Sequence, residues 1–316
     1  MTVWQELSVN RPQRRAWRWT RAVRRDFRNG LLFISPWLVG LCVFTLYPIF
    51  ASFYYSFTVY DIVSPPQFTG LANYRDLLTS DPLFWKSVRN TLYYVVFAVP
   101  LYLTTALAVA LLLNMKLRGM AVYRTLFFLP SIVPDVASAM LWAWILNPQF
   151  GLLNGVLRAL GVPTLGWLTD PTWSKPSLIL IGLWTFGGSM VIFLAALQDV
   201  PEALYEAAEL DGAGVLRKTW NVTLPMITPT IFFNLVLGMI GAFQYFTTAF
   251  VLSQGSGGPA SSTLFYSLLL YNNAFSYFKM GYSSAMAWLL FAFVFILTWI
   301  TFKSANYWVY YEGESN

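Results

Sequence analysis

No histidine occurs among the 316 residues of this chain, and with it go the commonest metal ligand and the side chain that most readily exchanges protons near neutral pH. The single cysteine, Cys42, lies inside an apolar run, which excludes an intrachain disulfide framework and leaves the redox compartment open. Charge is scarce as well. Only 11% of the residues are Asp, Glu, Lys or Arg against 57% apolar ones, too little polar surface to coat a soluble body of this length. A Gly-x-x-x-x-Gly-Lys-Ser/Thr phosphate loop is missing, so the chain has no recognisable means of binding or hydrolysing ATP. Metal-ligand clusters and nucleophile motifs are missing too, which argues against a membrane-embedded enzyme.

What the sequence does contain is a series of long apolar runs. A helix needs about 20 mainly apolar residues to cross roughly 30 Å of hydrocarbon. Six stretches meet that length, at about 31–55, 89–113, 123–146, 177–197, 227–252 and 283–303. Polar segments such as "SPPQFTGLANYRDLLTSDP", "NMKLRG" and "SQGSGGPASS" separate them. The chain therefore reads as an all-α polytopic membrane protein with six transmembrane helices.

Basic residues set its orientation. Eight arginines fall between Arg11 and Arg28. Arg11, Arg14, Arg15, Arg18, Arg21, Arg25 and Arg28 recur at helical intervals, with Trp17, Trp19 and Phe27 interleaved. Such a helix suits an anionic inner leaflet better than a nucleic acid, and the apolar run after it is too long for a cleaved signal peptide. Alternating the loops across the membrane puts 14 Lys and Arg residues on one side and 6 on the other, so both termini are expected in the cytoplasm. The expected divisions are a basic cytoplasmic segment at 1–29, a six-helix body at 30–306 and a cytoplasmic tail at 307–316.

On that topology the loop at 199–225, "DVPEALYEAAELDGAGVLRKTWNVTLP", faces the cytoplasm. Asp199 with Glu202 forms a possible capping box, Pro201 suits a first turn and Gly212 a stop, predicting a helix of about three turns. Tyr205, Ala208 and Leu210 are expected on one side, opposite Glu202, Glu206 and Glu209. The acidic residues fit poorly against anionic lipid, so the small apolar face points to a partner protein.

The stretch Glu206–Pro229, "EAAELDGAGVLRKTWNVTLPMITP", closely resembles the EAA motif of permease subunits of binding-protein-dependent ABC importers. Trp220 and Val222 stand where Phe and Ile are common. "FTGLANYRDLL", "RNTLYY", "YRTLFFLPSIVP" and "GGPASSTLFYSLLLYNNAFSYFKMGYSSAMAW" extend the resemblance over most of residues 30–300, toward the sugar-importing branch that includes maltose and glycerol-phosphate permeases. The resemblance implies a type I ABC importer permease fold in a bacterial or archaeal plasma membrane. It implies that the loop is a coupling helix contacting an ATPase through Tyr205, Glu206, Ala207, Ala208, Asp211, Gly212 and Ala213. It also implies a second permease subunit, two ATPase subunits carrying ATP and Mg, and an extracytoplasmic solute-binding protein; no cofactor or metal is expected on this chain.

The expected cargo is a sugar or sugar-like solute, with glycerol-phosphate as one option. Hydrogen-bonding groups beside aromatic faces suit such a cargo. Two places offer both: "GLWTFGGSMVIF", with Trp184, Gly187, Gly188 and Ser189, and "GAFQYFTTAF", with Phe243, Gln244 and Tyr245. Simple helix packing is the competing explanation for these residues. Asp135 is the clear ionisable residue inside a span, expected near an end or at an aqueous cavity. An ion-coupled secondary transporter is the alternative, but such carriers normally use more intramembrane ionisable groups than this.

Overall fold

The computed structural model describes residues 20–115 and 117–310. The arginines before Arg21, Lys116 and residues 311–316 lie outside the described residues, and so do the parts of the expected terminal segments that contain them. The described residues form two units, one ending at Ser52 and the other beginning at Phe53.

All six apolar stretches are helical, but only four run without a sharp bend: Arg21–Tyr55, Pro82–Leu113, Thr228–Ser253 and Met280–Trp308. The other two are bent pairs. Met120–Ile132 turns into Asp135–Ile145 through 98°, and Pro171–Leu183 into Gly187–Asp199 through 48°. With each pair taken as one span, these are spans one to six in chain order. Among the described residues the only strands are Thr58–Val59 and Gln67–Phe68, paired antiparallel with Thr58 opposite Phe68.

Two spans start earlier than their apolar runs suggest. Span two begins at Pro82 rather than 89, because Asp81 accepts from the amides of Leu83 and Phe84 at 2.8 and 3.2 Å and proline takes the first helical position. Span four likewise begins at Pro171 rather than 177, with Asp170 accepting from the Thr172 amide at 2.8 Å. In both cases the helix continues through a polar flank that hydropathy alone excludes.

The breaks have local causes. Pro134 disfavours helical backbone at Val133, which is extended (ψ 128°). Wide π-type turns at Cys42–Leu46 and Thr219–Thr223 lie just before Pro48 and Pro225, where a proline ring crowds the preceding turn. Span five is interrupted at Gln244–Phe246, between Thr228–Phe243 and Thr247–Ser253.

Span two is the axis of the second unit. It packs against both halves of span four, against Thr228–Phe243 of span five and against the short helix Tyr266–Tyr271. Phe193, Met190, Leu178, Phe265, Leu268 and Met286 are fully enclosed around it. Two polar side chains of span two are buried there with partners. Asn90 donates to the carbonyls of Ser261 and Leu264 at 2.9 and 3.0 Å, and Thr91 accepts from the Tyr266 amide at 2.9 Å, which satisfies groups that would otherwise be costly in a low dielectric. Span six, by contrast, exposes Phe291, Phe295, Ile296, Trp299 and Phe302, an outward apolar surface suited to hydrocarbon.

Candidate functional site

Three interruptions in helical backbone meet at one cavity. Asp135, which opens the second half of span three, shares its wall with Thr185 from the bend of span four and Gln244–Thr248 from the interruption in span five. Non-helical backbone at membrane depth is tolerated only where protein or water covers it, and broken spans of this kind are typical of solute pathways. The cavity has a volume of about 570 Å³, within the range of small-ligand sites.

Its lining combines hydrogen-bonding groups with aromatic faces. Ser138, Thr185, Ser189, Asn234, Gln244, Thr247 and Thr248 supply the former; Tyr94, Tyr102 and Phe246 the latter. The Tyr94 and Tyr245 rings stack with centroids 4.3 Å apart and planes at 24°. The Tyr245 hydroxyl is buried near those of Thr248 and Tyr94 yet makes no hydrogen bond of ordinary geometry. Asp135 faces the cavity, one of the two placements expected for it.

Of the predicted pathway residues, Ser189, Gln244 and Tyr245 line this cavity, as does Gly188. Trp184 and Gly187 do not. Trp184 meets the edge of Trp142, with ring centroids 6.0 Å apart. Gly187 sits where a Cβ would come within 2.7 Å of the Phe127 carbonyl oxygen, so its role is to let spans three and four approach. Asn234, Thr247, Thr248, Tyr94 and Tyr102 join the wall without having been singled out. Asn234 was detectable as a second side-chain amide beside Gln244 in an apolar span, whereas the tyrosines are lost among 18 in the chain.

The loop helix is present as Glu202–Leu210, but its start differs from expectation. Asp199 is the last residue of span four and caps nothing; Pro201 occupies the cap position without a side-chain bond. The capping box fails because span four continues to Asp199. The end follows expectation. Gly212 has φ +74°, its amide donates to the Glu209 carbonyl at 2.9 Å, and the Ala213 amide donates to the Ala208 carbonyl at 2.9 Å, the paired bonds of a Schellman turn.

The predicted outward face is also corrected. Tyr205 and Ala208 are half-buried, and the Tyr205 hydroxyl lies 3.0 Å from that of Thr223, tying the helix to the base of span five. Glu206, Ala207, Asp211 and Gly212 are exposed, Ala213 is half-buried and Leu210 is 90% exposed. Lys218 donates to Glu209 at 2.5 Å, a second tie between the helix and the following turn. That ammonium holds the Glu209 carboxyl below its ordinary value, first through the hydrogen bond and then through its charge. Exposed Leu210, Val215, Leu216 and Trp220 make the loop an apolar promontory.

Residues 84–304 match the family described as the binding-protein-dependent transport system inner membrane component. The chain belongs to this family. Its members are permease subunits of ABC transporters, and ATP is hydrolysed on a separate subunit. The permease is 44% identical over 297 residues to a probable ABC transporter permease protein, YesP, of Bacillus subtilis, covering 93% of this chain and 96% of the relative. It is 35% identical over 284 residues to the lactose transport system permease protein LacF of Rhizobium radiobacter, covering 88% and 94%. A chain in the crystal structure of a bacterial alginate ABC transporter, solved with an alginate pentasaccharide-bound periplasmic protein, has the same fold: TM-score 0.79 at 21% identity, covering 90% of this chain and 96% of that one.

Proposed function

We propose that this permease carries a sugar or sugar-like solute inward. In this reading it works with a second permease subunit, two ATPase subunits and an extracytoplasmic solute-binding protein, with both termini in the cytoplasm. The observation that carries the reading is the cavity itself. Hydroxyl and amide groups from three spans, with tyrosine faces of span two beside them, converge where three helices break, and polyols need both kinds of contact. The relative named for lactose transport agrees with this cargo class.

Asp135 is the one carboxylate in the wall and can accept from a solute hydroxyl as an ordinary hydrogen-bond acceptor. Family membership favours an ATP-powered importer over the ion-coupled carrier. The promontory around Glu202–Leu210 would seat in the ATPase, with Ala207 and Leu210 toward it and Tyr205 and Ala208 holding the helix to this chain.

Uptake of labelled sugars into vesicles containing the assembled importer tests the proposal. Uptake is expected only with ATP in the compartment of the ATPase and loaded binding protein on the other side, and it survives collapse of ion gradients. Uptake that follows an ion gradient without ATP would refute it.

A further inference from the structure

Away from the solute cavity, span two and the first half of span four enclose two neighbouring recesses of opposite character. One, of about 540 Å³, is lined by Lys86, Arg89 and Lys175 together with Trp85 and Asn90. The other, of about 590 Å³, is almost wholly apolar, walled by Tyr93, Phe97 and Leu101 of span two and by Ile179, Leu180 and Leu183 of span four. The two share the same helix faces: Arg89, Tyr93, Phe97 and Leu101 recur every fourth residue, as do Lys175, Ile179 and Leu183. Lys175 joins them physically, its Nζ lying 4.9 Å from the centroid of the Tyr93 ring.

The basic recess has no counter-charge among the described residues. Lys86 donates to the Ala260 carbonyl at 2.6 Å and Lys175 to the Asn90 side-chain oxygen at 3.2 Å, both neutral acceptors. Lys86 and Arg89 lie near enough to Lys175 for the like charges to repel. The nearest carboxylates in sequence are engaged otherwise, Asp81 with the first amides of span two and the Tyr282 hydroxyl and Asp170 with the Thr172 amide. Three cations held together without a carboxylate call for an anion from outside the chain.

Dimensions select the occupant. Span two has 32 residues, about 48 Å of helix against about 30 Å of hydrocarbon, so roughly its first dozen residues can reach headgroup level. Arg89 and Lys86 fall in that portion, at the end of the span remote from the loop helix. From Tyr93 to Leu101 the apolar recess runs about 12 Å, less than one leaflet and too short to seat a partner's whole spanning helix. Phe97 and Leu101 remain 53% and 45% exposed along it.

We propose that this paired recess is a binding site for one anionic phospholipid, with its phosphate among Lys86, Arg89 and Lys175 and an acyl chain in the groove below. Basic pockets between membrane helices on the cytoplasmic side recognise anionic headgroups in this way, and the same charge-assisted hydrogen bonds to phosphate are open to this cluster at the opposite end of the span. Bound lipid would offset part of the cluster's charge and brace spans two and four, both of which wall the solute cavity.

Native mass spectrometry of the assembled importer, offered equal concentrations of dioleoyl phosphatidylglycerol and dioleoyl phosphatidylcholine, tests the site. The wild type is expected to retain one phosphatidylglycerol with at least tenfold preference, and the Arg89→Gln/Lys175→Gln variant to lose that preference. Val96 also lines the apolar groove, so Val96→Trp, which fills it, should reduce retention with all three cations intact, and it keeps the test decisive if the charge variant fails to assemble. Equal retention of the two lipids by the wild type would overturn the proposal, as would unchanged preference in the charge variant or unchanged retention in Val96→Trp. Efficient disulfide cross-linking of Phe97→Cys to the second permease subunit would also overturn it, because the groove would then be covered by protein.

Discussion

Gln244 ends the first half of span five and is exposed toward the cavity. An amide there can both donate to and accept from a hydroxyl-bearing solute. Gln244→Ala is expected to weaken transport of the preferred solute by about 5- to 150-fold in apparent affinity, the equivalent of about 1–3 kcal/mol for an unpaired polar group. Protein level and unstimulated ATP hydrolysis should stay near wild type. Tyr245→Phe separates fold from cargo at the neighbouring position. Its hydroxyl makes no ordinary hydrogen bond within the chain, so the change should leave thermal stability unchanged or improved while solute affinity falls. A stability loss with unchanged transport kinetics would assign both residues to packing. Gly187 belongs to the opposite class: the Phe127 carbonyl oxygen would lie 2.7 Å from any Cβ there. Gly187→Val should cost about 1–3 kcal/mol through overpacking, lowering the amount of folded protein and transport of every solute in parallel.

At the scale of elements, run length and composition made all six spans legible, because twenty apolar residues have few other destinations. Their interruptions were not. Hydropathy averages over Val133–Pro134, Trp184–Phe186 and Gln244–Phe246, although it is at these breaks that Asp135, Thr185 and Gln244–Thr248 reach the cavity wall. Pro134 and the paired Gly187 and Gly188 hint at breaks, but nothing local says that all three will meet. The loop helix shows the same division. Gly212 announced its end through a conformation that favours glycine, whereas the start was misplaced because Asp199, a plausible cap, is claimed by the preceding helix. Its outward face was misread too, since the tie from Tyr205 to Thr223 bridges 18 residues and leaves no periodic trace.

The tie between Glu209 and Lys218 gives this element a pH dependence. Glu209 has a lowered pKa in the folded chain, so its contribution is fully present above the ordinary carboxylate value and is lost as pH falls through the lowered one. Protection of the amides across residues 205–218, taken relative to intrinsic exchange at each pH, should therefore be higher at neutral pH than below about pH 4. In Glu209→Gln the lower protection should already be present at neutral pH. Equal exchange in the two proteins at both pH values would show that the ion pair contributes nothing to the loop.

For the whole molecule, the central claim is that a partner's work enters at the loop helix and is delivered at the cavity. The two are covalently close: Gly187–Asp199 runs from the cavity wall to the loop, and Thr228–Phe243 returns from it. A partner can bias the spans only through contacts that differ between their states, and the exposed Ala207 and Leu210 are the side chains placed to make them. The direct measurement is ATP hydrolysis by the reconstituted importer, with and without loaded binding protein, in Ala207→Trp and Leu210→Asp. Leu117→Trp, at an exposed position in the loop between spans two and three, serves as the control. Both loop-helix variants should assemble their spans normally yet lose stimulation by the binding protein at least tenfold, together with uptake, while the control behaves as wild type. Stimulated hydrolysis and uptake at wild-type levels in Ala207→Trp and Leu210→Asp would contradict the account.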